Sequence, residues 1–427
     1  MLRIGKFILL GVLMMTQLPI WAQNNTASPY TRFGYGELAD RSFGAGRAMG
    51  GVGIGLRSPK QINPMNPASY SCMDSLTFIF DFGASLQAAT YKDASNEYKK
   101  LNGNIEYIAL QFPITRWLAM SAGLLPYSFV GYEFGEASQI GDETYQNTYS
   151  GRGGLNELYG GLSIDIWKKR LAVGANFSFL FGNIEHSQSL SFASASSYIN
   201  NRTQRVEVRD MRMNFGVQYT HPLSAEESLT FGATYSPKNS LNAKTYDGLT
   251  RMSSSKDEII ESSIDTITGV AYDLPNTFGF GVSYMKYNKL TIAADFQYED
   301  WGDSQYRGES GNFQNRKRIA VGAEYLPDDR DKNYFKQIRY RVGFHYNNSY
   351  VKTNRNAENN YKGYGYNEYG VSVGLGLPVM DYRSLVNVAF EYVKVKPGHV
   401  SLIDEQYFRV TLNYTFNERW FYKFRLN

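Results

Sequence analysis

The stretch QYFRVTLNYTF places Phe408, Val410, Leu412, Tyr414 and Phe416 on one parity and Arg409, Thr411, Asn413 and Thr415 on the other. Successive side chains of an extended strand point to opposite faces, so this segment has one apolar and one polar face. The same alternation runs through LTIAADFQYEDW, where Leu290, Ile292, Ala294, Phe296 and Tyr298 oppose Thr291, Asp295, Gln297 and Glu299. It returns in RYRVGFHY, where Tyr340, Val342, Phe344 and Tyr346 oppose Arg339, Arg341 and His345. Two architectures accommodate such strands. A soluble sandwich turns its apolar faces toward a second sheet. A membrane barrel turns them toward lipid and keeps the charged faces in a wet lumen.

Number and spacing favour the barrel. Candidate strands lie at 76–91, 103–114, 117–134, 155–166, 171–186, 207–221, 228–241, 274–286, 289–301, 315–326, 338–350, 364–377, 384–395 and 406–416, an even fourteen. Tight connections such as Pro113 to Arg116, Trp167 to Arg170 and Lys286 to Lys289 alternate with long ones, Gly135 to Gly154 and Asn242 to Asp273. Outer-membrane barrels have this asymmetry of short turns and long loops. Aromatics that close apolar faces, Tyr298 with Trp301 and Tyr346 with Tyr350, are expected in an interfacial girdle. The expected fold is therefore all-β, a transmembrane antiparallel barrel over 76–427.

The first 22 residues, MLRIGKFILLGVLMMTQLPIWA, read as a secretory signal peptide, with Arg3 and Lys6 ahead of an apolar run closing on Ala22. Past Ala22 no apolar run reaches the roughly 18 residues of a spanning helix. The formal charge of +4 gives no case for a nucleic-acid partner. Cys72 is alone, so no internal disulfide forms, and His186, His221, His345 and His399 are scattered, which argues against a metal site. No cofactor and no catalytic residue is expected, because none of these histidines has a triad-like context.

Between the leader and the first strand runs GRAMGGVGIGLRSPKQINPMNPASY, Gly46 to Tyr70, dense in Gly and punctuated by two Asn-Pro pairs. Such backbone must turn sharply or pass close to something else. GAGRAMGGVGIG, then NPASY, then DSLTFIFDFGASL resembles the start of the FadL family of outer-membrane channels for long-chain fatty acids and other hydrophobic compounds. PITRWLAMSAGLLPYSFVGYEF, LPNTFGFGVSY with ADFQYEDW, and RIAVGAEYLPDD extend the likeness in order along nearly the whole chain. The resemblance implies that 23–75 folds in the lumen as a hatch, with Gly46, Arg47, Ala48, Asn66, Pro67 and Ala68 in its two motifs. Irregular backbone at membrane depth is tolerated only inside protein or a wet cavity, which agrees.

The resemblance also implies an inward kink in the third strand that opens the wall sideways. Gly123, Pro126 and Gly131 stand where one could form, since Pro cannot donate to a strand ladder; a simple bulge is the alternative. A basic residue that helps hold a fatty-acid carboxylate in the family is replaced here by Phe181, leaving Arg316, Lys317, Arg318, Arg339 and Arg341 as candidate anion partners. The expected function is passive uptake of a hydrophobic small molecule through a plugged, monomeric barrel in the bacterial outer membrane, in contact with outer-membrane lipid and inserted by the barrel-assembly machinery. The alternative is a FadL-like component of a protein secretion or surface-attachment system, because SPYTRFGYGEL, Ser28 to Leu38, is similar to the opening of such Bacteroidetes-type barrels.

Overall fold

The computed structural model describes residues 26–93, 96–141, 143–167, 169–192, 197–253, 258–353, 363–379, 383–399 and 403–419. The leader at 1–22 and the tail from 420 lie outside the described residues.

Fourteen antiparallel strands form a closed wall. In chain order, a two-residue strand β1 (Glu37–Leu38) precedes β2 (Thr77–Lys92), β3 (Glu97–Pro113), β4 (Leu118–Ile140), β5 (Glu143–Trp167), β6 (Leu171–Phe192), β7 (Tyr198–Pro222) and β8 (Glu227–Ser236). Short or accessory strands follow, β9 (Asn239–Ser240), β10 (Ala243–Ser253), β11 (Ile259–Ile267) and β12 (Asp273–Leu274). The wall resumes with β13 (Thr277–Lys286), β14 (Leu290–Glu299), β15 (Arg316–Tyr325), β16 (Arg339–Asn348), β17 (Tyr366–Pro378), β18 (Leu385–Pro397) and β19 (Asp404–Arg419). Each wall strand pairs with the next, β8 with β13 across the insertion, and β19 with β2 to close the ring. Ring closure gives every wall strand two neighbours, which matters because an unpaired backbone group in lipid costs several kcal/mol.

The alternation sorts as the sequence predicts. On β19, Phe408, Leu412 and Tyr414 are exposed on the outside, whereas Thr411, Asn413 and Thr415 are buried within. On β14, Ile292 and Phe296 point out and Asp295 points in.

Three expectations fail. Gly135 to Gly154 is not a loop, because β4 and β5 stay paired as far as Ile140 and Glu143. Asn242 to Asp273 contains the β10–β11 hairpin, which continues the sheet from the upper half of β7. Trp301 and Tyr350 are not girdle residues, being 0 % and 2 % exposed; the chain leaves the β14 and β16 ladders before each, so strand parity no longer sets their direction. The strands β4 to β7 have 23, 25, 22 and 25 residues, and about 9–11 cross a bilayer. Their excess forms a flap at the long-loop end. The last strand continues past Phe416 to Arg419.

Residues 26–74 lie against the inward faces of the wall. A short helix α1 (Gly44–Ala48) packs on β17, β18 and β19, and a 3-10 helix at Pro67–Cys72 packs on β5, β6 and β7. The glycines face glycines here. Gly50 and Gly51 have φ of 75° and 81°, and a side chain on the wall residue Gly343 would meet the backbone of Met49 and Gly50. Asp295 accepts from the backbone N–H groups of Gly53 (2.6 Å), Ile54 (2.8 Å) and Gly55 (3.3 Å).

Gly343→Val is expected to lower the stability of the folded barrel by about 1–3 kcal/mol through overpacking, read as an earlier conversion of the folded band on heating in detergent gels. Gly160→Val, where a Cβ meets nothing within 4 Å, serves as control. Equal behaviour of the two variants would refute the close approach.

Candidate functional site

Midway through the lumen, charged side chains from the wall and the inner segment meet. Arg47 of α1 is 4 % exposed and lies 2.6 Å from Glu106, 3.4 Å from Asp40 and 4.0 Å from Glu391. Arg318 holds Asp40 at 2.7 Å and donates to the carbonyl of Gly51. Arg409 joins Glu37 and Glu391 at 3.7 and 3.9 Å, Arg41 and Arg212 share Glu157, and Arg316 pairs with Glu299 at 2.8 Å. A buried charge is tolerated only with a partner and satisfied hydrogen bonds. The chain meets this by alternating sign through the lumen.

These groups enclose a cavity of about 130 Å³, lined by Asp40, Arg41, Arg47, Arg318, His345 and Arg409 among others. Four buried polar atoms at its wall, Arg41 Nε, His345 Nδ1, Asn347 Oδ1 and Glu391 Oε2, have no protein hydrogen-bond partner. At about 30 Å³ per water the space suits several ordered waters. Such a chamber is polar.

Above it the long-loop end is filled by aromatic side chains. Tyr35 of the inner segment packs edge-on to Tyr306 (5.1 Å) and near Trp301 (5.8 Å) and Phe313 (6.2 Å). Tyr350 donates to the carbonyl of Gly36 at 2.7 Å and accepts from the N–H of Tyr35 at 2.9 Å. Trp301 donates to Glu299 at 2.6 Å, so the cap and the charged layer are joined. Asp273 on β12 holds the rim: partial burial pushes its carboxyl up, but hydrogen bonds from Ser240, the N–H of Gln305 and Lys238 outweigh this and hold it below the ordinary range.

Among the described residues, the wall has a seam between β3 and β4. The register of β3 with β4 ends at Ile108 and Leu124, and the earlier part of β3 is in register with β2 alone. Two residues on, Pro126 opposes Asn156 and a bulge follows between Pro126 and Ser128. The edge of β4 that β3 vacates is taken from inside: β1 pairs Glu37 with Phe129 and Leu38 with Ser128. Ala39 N–H donates to the carbonyl of Tyr127 at 3.0 Å, and Thr31 bridges both backbone groups of Gly131.

The structure brings some of the expected residues together and separates others. Gly46, Arg47 and Ala48 form α1. Asn66 caps the 3-10 helix by accepting from Ala68 N–H and donates to the carbonyl of Ile54; Pro67 faces Gly174 and Gly216, and the Ala68 carbonyl accepts from Ser163. Gly123 sits against Ala109 and Tyr159 below the seam. Of the candidate anion partners, Arg316 and Arg318 reach the chamber. Arg339 and Arg341 share Glu324 toward the short-turn end. Lys317 is exposed on the outward parity, away from any luminal ligand. The sequence reading missed Asp40, Glu106, Asp295 and Arg409 as a set. Asp295 and Arg409 already stood on the polar parity of their strands, and that was the available signal.

No curated protein matches the sequence. A family model described as BamG matches residues 3–427. Among solved structures, the chain is similar to the Pseudomonas putida toluene transporter TodX at TM-score 0.60 and 15% identity, covering 90% of this chain and 100% of that one. It is similar to a Pseudomonas aeruginosa FadL homologue at 0.58 and 13%, covering 89% and 99%. The Ralstonia pickettii toluene transporter TbuX gives 0.57 and 14%, covering 89% and 99%. At these identities the likeness is one of fold.

Arg47→Met leaves Glu106 buried without its counter-ion, while Glu391 keeps Arg409. The variant is expected to weaken retention of the inner segment by about 3–5 kcal/mol, seen as faster hydrogen exchange over residues 44–55, and Arg47→Met/Glu106→Gln is expected to recover part of it. Unchanged exchange in the single variant would show that the ion pairs do not hold the segment.

Proposed function

From the premise that this chain belongs to the BamG family, we propose that it is a component of a bacterial outer-membrane protein assembly, a monomeric barrel closed by its own N-terminal segment. The short connections face the periplasm and the long-loop end faces outward. One observation carries this reading: the interior, where a hydrophobe channel needs an apolar pocket, holds a chamber lined by paired charges under a cap of the chain's own aromatic side chains. Moving an apolar molecule through that layer would cost its transfer free energy, about 0.8 kcal/mol per methylene. The family's name suggests barrel-assembly machinery as the partner, and the alternation of buried ion pairs supports a rigid scaffold.

A second reading is a channel for passive uptake of hydrophobic compounds with sideways exit. The β3–β4 seam favours it, as does the fold shared with proteins named as toluene transporters. Here residues 26–74 act as a hatch, and Pro126 keeps the seam from zipping. Neither reading calls for an enzyme.

Gentle extraction of the tagged chain is expected to recover a barrel-assembly subunit in near-equal amount, while deletion of the chain leaves toluene and oleate uptake unchanged. Loss of uptake in the deletion strain, restored by wild type but not by folded Pro126→Val, would overturn the assembly reading in favour of the channel.

A further inference from the structure

The β10–β11 hairpin stands in the extracellular part of the sheet, beyond the membrane-spanning ring. One edge of β10 pairs with β7 from Tyr198 to Val208 and the other with β11. All nine residues of β11 are exposed, and its far edge has no strand neighbour among the described residues. The next wall strand, β13, cannot supply one, because β8 and β14 occupy both its edges from Thr277 to Lys286.

An edge this long is a template for another strand, and proteins ordinarily blunt it with Lys, Pro or a cover. β11 reads IIESSIDTI and has neither Lys nor Pro. Instead it presents Ile264, 69 % exposed, on one face and Glu261 and Asp265 on the other. Asp247 of β10 lies directly across from Asp265 but is itself paired with Arg307 at 3.4 Å, so the acids this face offers a partner are Glu261 and Asp265. Arg251 answers only in part, with a single 4.0 Å approach to Glu261.

Charge decides the occupant. A second copy of β11 pairing antiparallel about Ser263 would set Glu261 against Asp265 twice, and in parallel register it would set each acid against itself; like charges directly opposed destabilise a pair. A strand with cations at the same spacing gains where the copy loses. We infer that β11 is a docking edge for an extended segment of a partner protein, adding as a further strand, with Lys or Arg four residues apart opposite Glu261 and Asp265 and an apolar side chain over Ile264. The inference rests on the assembly reading and names where such a partner engages.

The test uses the full-length barrel in detergent and a synthetic peptide of about twelve residues, alternating valine and threonine with two lysines four apart, against the same peptide with two glutamates. The lysine peptide is expected to bind about tenfold more tightly and to slow amide exchange across 259–267. Glu261→Lys/Asp265→Lys, on an exposed strand and checked for the folded band, is expected to reverse the preference. Equal binding of the two peptides, no protection of 259–267, or self-association of the wild type lost in the charge-reversed variant would overturn the docking edge. A barrel that binds the peptide yet co-purifies with no assembly subunit overturns the assembly reading instead. Co-purification unchanged by the charge reversal overturns the docking edge alone.

Discussion

Burying arginine inside a barrel is possible only if each guanidinium finds a carboxylate, and the interior of this protein is organised around that requirement. Arg47, Arg318 and Arg409 come from α1, β15 and β19, yet Arg47 and Arg318 share Asp40, Arg47 and Arg409 share Glu391, and Arg409 reaches Glu37. Arg47 with Glu106, Asp40 with Arg318 and Glu37 with Arg409 tie the inner segment to β3, β15 and β19. Removing one partner strands another charge in a confined space, which is why such a network holds a segment in a single position. The glycine contacts and the triple acceptance by Asp295 then set how close the backbone can come.

The same segment completes the wall where the wall is incomplete. β3 leaves β4 at Ile108 and Leu124, and the exposed backbone of β4 is answered by Thr31, β1 and Ala39 rather than by lipid or water. Seam, charged chamber and aromatic cap therefore form one connected unit: displacement of the inner segment would free the β4 edge, unpair Arg47 and withdraw Tyr35 from Trp301 and Phe313 together. This coupling suits a closed scaffold, and it is also what a gated path would have to undo. In this chain the fold it shares with toluene transporters and a FadL homologue carries a lumen chamber lined by paired charges.

Period-two alternation was enough to find the strands, because parity on a pleated strand is a local property. Phe408 and Arg409, or Phe296 and Asp295, declare opposite faces without knowledge of any neighbour, and fourteen such runs with alternating connections imply a closed ring. The Gly and Asn-Pro density between Gly46 and Tyr70 likewise announced a backbone under close approach. Parity failed where the ladder ended. Trp301 and Tyr350 each follow a wall strand and turn inward to the cap, and no count along the chain reveals that.

The sequence by itself determined the class of fold, the number of wall strands and the parity of their side chains, since these follow from local periodicity and from the need to pair every backbone group in a membrane. Only the tertiary structure decided that Arg47 meets Glu106, that Arg318 reaches back to Asp40, that β1 takes the edge β3 leaves, and that β11 stands at the rim with one edge unpaired among the described residues. Those outcomes join residues tens to hundreds of positions apart, and their partners are chosen by strand register and ring closure, which no local pattern encodes.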